Sequence, residues 1–155
     1  MKYSLDASSI IAAWTTRYPI DVMPTFWENL DSLIDNGDLR ATEEVYEEIK
    51  RKDDGLFRWI RPRSALIVPV DEPVQEAVRE ILGSHRYLVE MARNRSGADP
   101  FVIGLARVHG VTVMTEERMR PNPVRKPKIP DVCGAYRIPC INLLGLIRAN
   151  GWVYR

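Results

Sequence analysis

The chain has 155 residues, 45% of them apolar and 28% charged, with a formal net charge of +1. That balance describes a globular domain large enough for a real core, and it excludes a protein held to nucleic acid by a global basic field. No apolar run approaches the length of a bilayer span and no charged leader precedes a long apolar stretch, so a reducing cytoplasm is the expected compartment and no membrane partner is expected.

In chain order, Tyr3 to Leu5 reads as a short buried strand ended by Asp6, and Ser8 to Thr16 as a helix capped by Ser8 or Ser9. Pro19 breaks it. Pro24 suits the first turn of a helix over Thr25 to Asp35, whose apolar face is Phe26, Leu30, Leu33 and Ile34, and Asn36-Gly37 ends it. Thr42 is the expected cap of a helix on which Val45 and Ile49 share a face. Gly55 to Arg63 is a short piece carrying Phe57, Trp59 and Ile60, and Leu66 to Val68 reads as a second strand. A long helical pattern runs from Glu72 to Met91, with Gly83-Ser84 as a bend.

Asp99 then opens an apolar helix that Gly110 closes, and Val111 to Met114 is a β-branched strand. Arg118 to Pro130 reads as a basic, proline-rich loop and Asp131 to Tyr136 as a turn. Ile138 to Ile141 reads as a strand, Leu143 to Ala149 as a helix capped by Asn142, and Trp152 to Tyr154 as an edge strand. Strands alternating with helices imply an α/β fold with a mainly parallel sheet covered on both faces. No repeat or linker divides residues 1–155, which read as a single domain.

The chemistry lies in four scattered segments that carry acid: Asp6 after the first strand, Glu48 in EEVYEEIK, Asp99 before an apolar helix and Glu117 after VTVM. In a parallel α/β sheet the carboxyl ends of strands and the amino ends of the following helices share one rim. Carboxylates gathered there repel one another, and a divalent metal is the usual compensation. Helix capping is the competing explanation for Asp6 and Asp99. Among Glu44, Glu47 and Glu48 the choice stays open, with Glu48 favoured beside the buried face of Val45 and Ile49 and Glu44 next. Glu116 is the neighbour alternative to Glu117, and Ser8 and Thr115 are placed to support the acids.

Cys133 and Cys140 match no zinc spacing, and neither His85 nor His109 completes one. A phosphate-accepting haloacid-dehalogenase site wants a second Asp two residues after the first, where Ser8 stands.

These segments together resemble the PIN-domain nuclease superfamily. The matching elements are a strand ending in Asp6 with Ser8 two residues on, Val45-Tyr46-Glu47-Glu48-Ile49, the helix from Asp99 to Ala106, and the strand end Thr115-Glu116-Glu117. The chain is similar in particular to the PIN-like DUF4411 subgroup, through Trp59, Thr115-Glu116-Glu117, the run Lys128 to Cys133, and the closing helix and short strand. The resemblance implies a three-layer α/β/α fold with a central sheet of four to five strands. It also implies a metal-dependent endoribonuclease, with Mg2+ or Mn2+ held by Asp6, Glu48, Asp99 and Glu117 and supported by Ser8 and Thr115.

The superfamily has Asp where this chain has Glu117, and Asp131 is a substitute fourth acid. The resemblance further implies the toxin of a type II toxin–antitoxin pair, like VapC-like toxins, with RNA as substrate, an antitoxin protein as partner and a homodimeric state. The alternatives are a nuclease of RNA maturation or DNA processing, or a non-catalytic PIN-like module. Arg118, Arg120, Arg125, Lys126 and Lys128 are the expected RNA-phosphate contacts. Arg58, Arg61 and Arg63 beside Phe57 and Trp59 form a second basic group, its aromatics read first as core anchors, and His85, Arg86, Arg93 and Arg95 form a third.

Overall fold

A computed structural model describes residues 1–85, 97–119 and 127–155. Arg86, Arg93 and Arg95, the end of the helical pattern to Met91, and Arg120, Arg125 and Lys126 lie outside the described residues.

The order of elements is β1 (Tyr3–Leu5), α1 (Ala7–Ala12) running into a wider turn over Ala13–Arg17, α2 (Pro24–Asp35), β2 (Leu39–Thr42), α3 (Glu43–Lys52), α4 (Asp54–Ile60), β3 (Ile67–Val68) and α5 (Glu72–Ser84). It continues with α6 (Asp99–His109), β4 (Thr112–Met114), α7 (Ile129–Ala135), β5 (Cys140–Ile141) and α8 (Leu143–Ala149). The strands form one parallel sheet in the order β3-β2-β1-β4-β5.

The chain therefore winds outward from β1 to β3, returns past β1 to β4, and winds outward again. Right-handed crossovers put α1 to α4 on one face and α5 to α7 on the other, giving the three layers. The direction of winding reverses between β1 and β4. Ligands of open parallel sheets bind at such a reversal, beyond the carboxyl ends of the two strands.

Burial follows the sequence pattern. Leu5, Phe26, Leu30, Leu39, Val45 and Ile49 fill the core together with Val102, Ile103 and Val113 from α6 and β4. Trp27 anchors it, with edge-to-face contacts to Trp59 at 4.7 Å and Trp14 at 5.2 Å, and its Nε1 donates to Tyr18 O at 2.7 Å. Trp59 is buried, with the Arg63 guanidinium over its ring at 3.7 Å and Arg63 Nη2 bonded to Asp31 Oδ2 at 2.8 Å. These groups are core anchors, and neither Trp59 nor Arg63 is free to stack a base.

Three elements differ from expectation. Leu39–Thr42 is a central strand, α7 replaces the turn around Asp131 to Tyr136, and Trp152 to Tyr154 joins no sheet. Trp152 N–H instead donates to Ile147 O at 3.0 Å, closing α8, while its ring packs edge-on against Phe26 at 6.1 Å. Gly110 ends α6 in the left-handed region at φ 63°, where a side chain would be strained.

Candidate functional site

Asp6 leaves β1 in extended conformation at the amino end of α1, where an aspartate ordinarily caps. It makes no side-chain cap bond. Its Oδ2 accepts instead from Ser8 Oγ and, at 2.8 Å, from Thr115 Oγ1, while its N–H donates to Met114 O at 3.0 Å. Ser8 thus lies inside the first turn and serves Asp6, and Ser9 is fully buried; α1 begins at Ala7, so neither serine caps it. The two hydroxyls also fold the segment after β4: Glu116 N–H donates to Ser8 Oγ at 3.2 Å and Glu117 N–H to Thr115 Oγ1 at 3.1 Å.

Asp6 is 3% exposed, and its pKa is pushed up from 3.8 to about 6. Burial is the main cause. The Ser8 and Thr115 bonds pull the other way, and the charges of Glu117 and Glu48 add to the rise. Asp6, Glu48 and Glu117 therefore share one electrostatic neighbourhood although they come from three separate elements.

Glu48 is the inward member of its run. It is 4% exposed and paired with Lys52 one turn on, whereas Glu43 and Glu47 are exposed. Glu44 is half-buried, one turn nearer the rim.

The two acids after Thr115 diverge. Glu116 Oε1 accepts from Leu143 N–H at 2.7 Å, at the start of α8. Glu117 Oε2 accepts from Ile129 N–H at 2.9 Å, at the start of α7, and Glu117 Oε1 pairs with Lys128 Nζ at 3.2 Å. Asp131 caps the same helix, accepting from Lys128 N–H at 2.8 Å.

Asp99 is the first residue of α6, which leads through Gly110 into β4 and so runs antiparallel to the strands, its amino end at the rim. Ser4 Oγ donates to Val102 O at 2.8 Å, so the face of β1 that carries Ser4 looks toward α6. Side chains alternate along a strand, which sets Asp6 toward the same helix, with Asp99 one turn above Val102.

A groove of about 430 Å³ opens beside Thr115 and Glu117, walled by Arg118, Pro130, Asn142 and Gly145. Cys133 and Cys140 are free thiols that hydrogen-bond each other, which with burial raises the Cys133 pKa above the ordinary thiol range.

Among the described residues, no three acid, histidine or cysteine side chains form a ready cage for an ion. The donor chemistry nonetheless fits a hard divalent cation: oxygen ligands only, with Asp6 and Glu48 buried and Asp6 charged at an energetic cost that a positive charge would relieve. Two lysines now stand beside two of these acids. Lys52 was not singled out by sequence reasoning, because its partner is fixed only once Glu48 is known to turn inward.

The fold and rim together define a three-layer α/β/α domain with acidic side chains at the reversal of a parallel sheet. Residues 3–154 match the family model described as Domain of unknown function (DUF4411), and the chain belongs to that family. No curated protein sequence matches it.

Among solved structures, similar chains occur in "Structure of FitAB bound to IR36 DNA fragment", at 18% identity and TM-score 0.54 over 92% of this chain and 94% of that one. FitAcB from Neisseria gonorrhoeae gives 17% identity and TM-score 0.51 over 92% and 97%. VapBC2 from Rickettsia felis, bound to a DNA fragment from their promoter, gives 13% identity and TM-score 0.52 over 92% and 98%. At these identities the likeness is one of fold.

Proposed function

We propose that this protein is a divalent-metal-dependent endoribonuclease and the toxin of a type II toxin–antitoxin pair. The observation that carries the nuclease reading is Asp6: a buried carboxylate that gives up capping, is held by two hydroxyls, and lies in the field of Glu48 and Glu117 at the point where the sheet reverses. The toxin reading is supported by fold likeness to chains of the FitAB and VapBC2 complexes. An antitoxin covering the acidic rim and a homodimer of the toxin belong to this proposal.

In this reading Asp6 and Asp99 hold Mg2+ or Mn2+, with Glu48 and Glu117 beside them. A bound cation supplies a water of lowered pKa and neutralises charge on the phosphate. The chain's own contributions are separate. Ser8 and Thr115 fix the Asp6 carboxylate in one orientation, the apolar core beneath excludes water from its buried side, and Arg118 on the groove wall, with Lys128 paired to Glu117 beside it, offers charge to the phosphates of a single strand.

The test is cleavage of single-stranded RNA by the full chain with Mn2+ and with chelator, beside Asp6→Asn and Asp99→Asn. Cleavage that requires metal and is lost in both variants is the expected result. Absence of cleavage, with no change of melting temperature on adding Mn2+, would leave a non-catalytic PIN-like module. Growth arrest on expression, relieved by a neighbouring gene product, tests the toxin assignment.

A further inference from the structure

Thr42 is the last residue of β2, and Asp6 directly follows β1. The registers Ser4↔Arg40 and Leu5↔Met114, carried on along the strands, set Thr42, Asp6 and Thr115 level on three adjacent strands. Neighbouring strands lie about 4.8 Å apart, and level residues of a parallel sheet point to the same face. Thr42 and Thr115 therefore flank Asp6, one on each side.

Thr115 bonds Asp6; Thr42 does not. Thr42 is 1% exposed, and its Oγ1 has no hydrogen-bond partner among the described residues. It stands at the N-cap of α3 with extended φ −83° and ψ 164°, the place where threonine ordinarily accepts a helix N–H, yet it makes no cap bond. Two residues on, within the first turn of the same helix, Glu44 Oε2 is also buried without a partner among the described residues. A buried hydroxyl without a partner is costly, and of the two such hydroxyls among the described residues, on Ser9 and Thr42, Thr42 is the one level with Asp6 on the neighbouring strand. The bonds that Asp6 accepts from Ser8 and Thr115 both use Oδ2, and neither uses Oδ1.

We infer that Thr42 Oγ1 is a ligand-contacting position of this site, which hydrogen-bonds the hydration shell of a divalent cation seated beside Asp6. The inference rests on the metal-dependent reading above and adds a residue to it. Thr42 acts as a positioning residue: it holds the cation's water shell and so the cation's place on the rim.

The experiment compares the full-length wild type, Thr42→Val and Thr42→Ser, by melting temperature without metal and by calorimetric titration with Mn2+. Valine keeps the shape and removes the hydroxyl. Without metal, Thr42→Val is expected to melt higher than wild type, because a buried polar group without a partner is gone. Its Mn2+ affinity is expected to fall about 3- to 10-fold, the loss of one hydrogen bond, and Thr42→Ser to keep most of it. A lower metal-free melting temperature in Thr42→Val would mean the hydroxyl is satisfied inside the protein, and the inference fails. Unchanged Mn2+ affinity in Thr42→Val, with wild type binding, overturns Thr42 alone. No Mn2+ binding by wild type overturns both this and the metal reading.

Discussion

Thr115 Oγ1 donates to Asp6 Oδ2 at 2.8 Å, joining two residues 109 positions apart across the reversal of the sheet. The bond stabilises the ionised form of a carboxylate that burial drives toward neutrality. Its removal has a defined sign. Thr115→Val and Ser8→Ala should each raise the Asp6 pKa further, and Glu117→Gln, by deleting a like charge, should lower it. A carboxyl-resonance titration of the three variants reads these directions, and a rise in Glu117→Gln would contradict the shared field.

Because the folded-state pKa of Asp6, about 6, lies above its ordinary 3.8, the folded chain binds this proton more tightly than the unfolded one. The stability Asp6 contributes is complete below pH 3.8 and is lost as pH rises through about 6. The loss amounts to about 3 kcal/mol. Asp6→Asn has no such proton. Its stability relative to wild type should therefore rise across that window and level off above it, in denaturant melts without metal. A flat difference would place Asp6 in a far more solvated setting than its 3% exposure describes.

The parts of this site legible in the sequence are those fixed locally. Asp6 and Thr115, bonded to each other, sit at strand ends that short apolar runs mark, and Asp99 opens a helix that an apolar period marks. β2 escaped because LRAT is four residues long, carries Arg40 in its middle and passes into α3 with no turn residue between. Its strand character comes from pairing on both sides, which is a tertiary effect. The helix α7 did carry signals, with Pro130 in its first turn and Asp131 placed to cap, but they were masked by the basic, proline-rich run before it. The pairing of Lys52 with Glu48 and the unmade bond of Thr42 depend on which way a helix and a strand end face, and no spacing encodes that.

Glu116 and Glu117 are neighbours with separate tasks. Glu116 holds the first N–H of α8, whereas Glu117 holds the first N–H of α7 and contributes to the field at Asp6. Glu116→Ala should cost about 1 kcal/mol of stability through the lost helix-terminus contact. Under the proposed nuclease reading, its cleavage of RNA should stay within about twofold of wild type. Glu117→Ala should lose cleavage by at least about tenfold. Denaturant melts and initial rates on one RNA separate the two, and equal losses of cleavage would erase the distinction.

The placement of Asp99 depends on how closely α5 and α6 approach beneath the rim. Gly104 makes that approach possible: a Cβ there would meet Val78 Cγ2 at 2.9 Å and the Val74 carbonyl at 3.4 Å. The first contact is with a buried, branched side chain and the second with backbone, so little can give way. Gly104→Ala is expected to destabilise the fold by about 1 to 3 kcal/mol, more than the helix propensity of alanine returns. Because α6 is held on its other side by the Ser4–Val102 bond at 2.8 Å, the strain should shift the helix and lower metal affinity as well as stability. Chemical denaturation and Mn2+ titration of Gly104→Ala, with Gly83→Ala as a control at a helix position with no atom within 4 Å, check both effects.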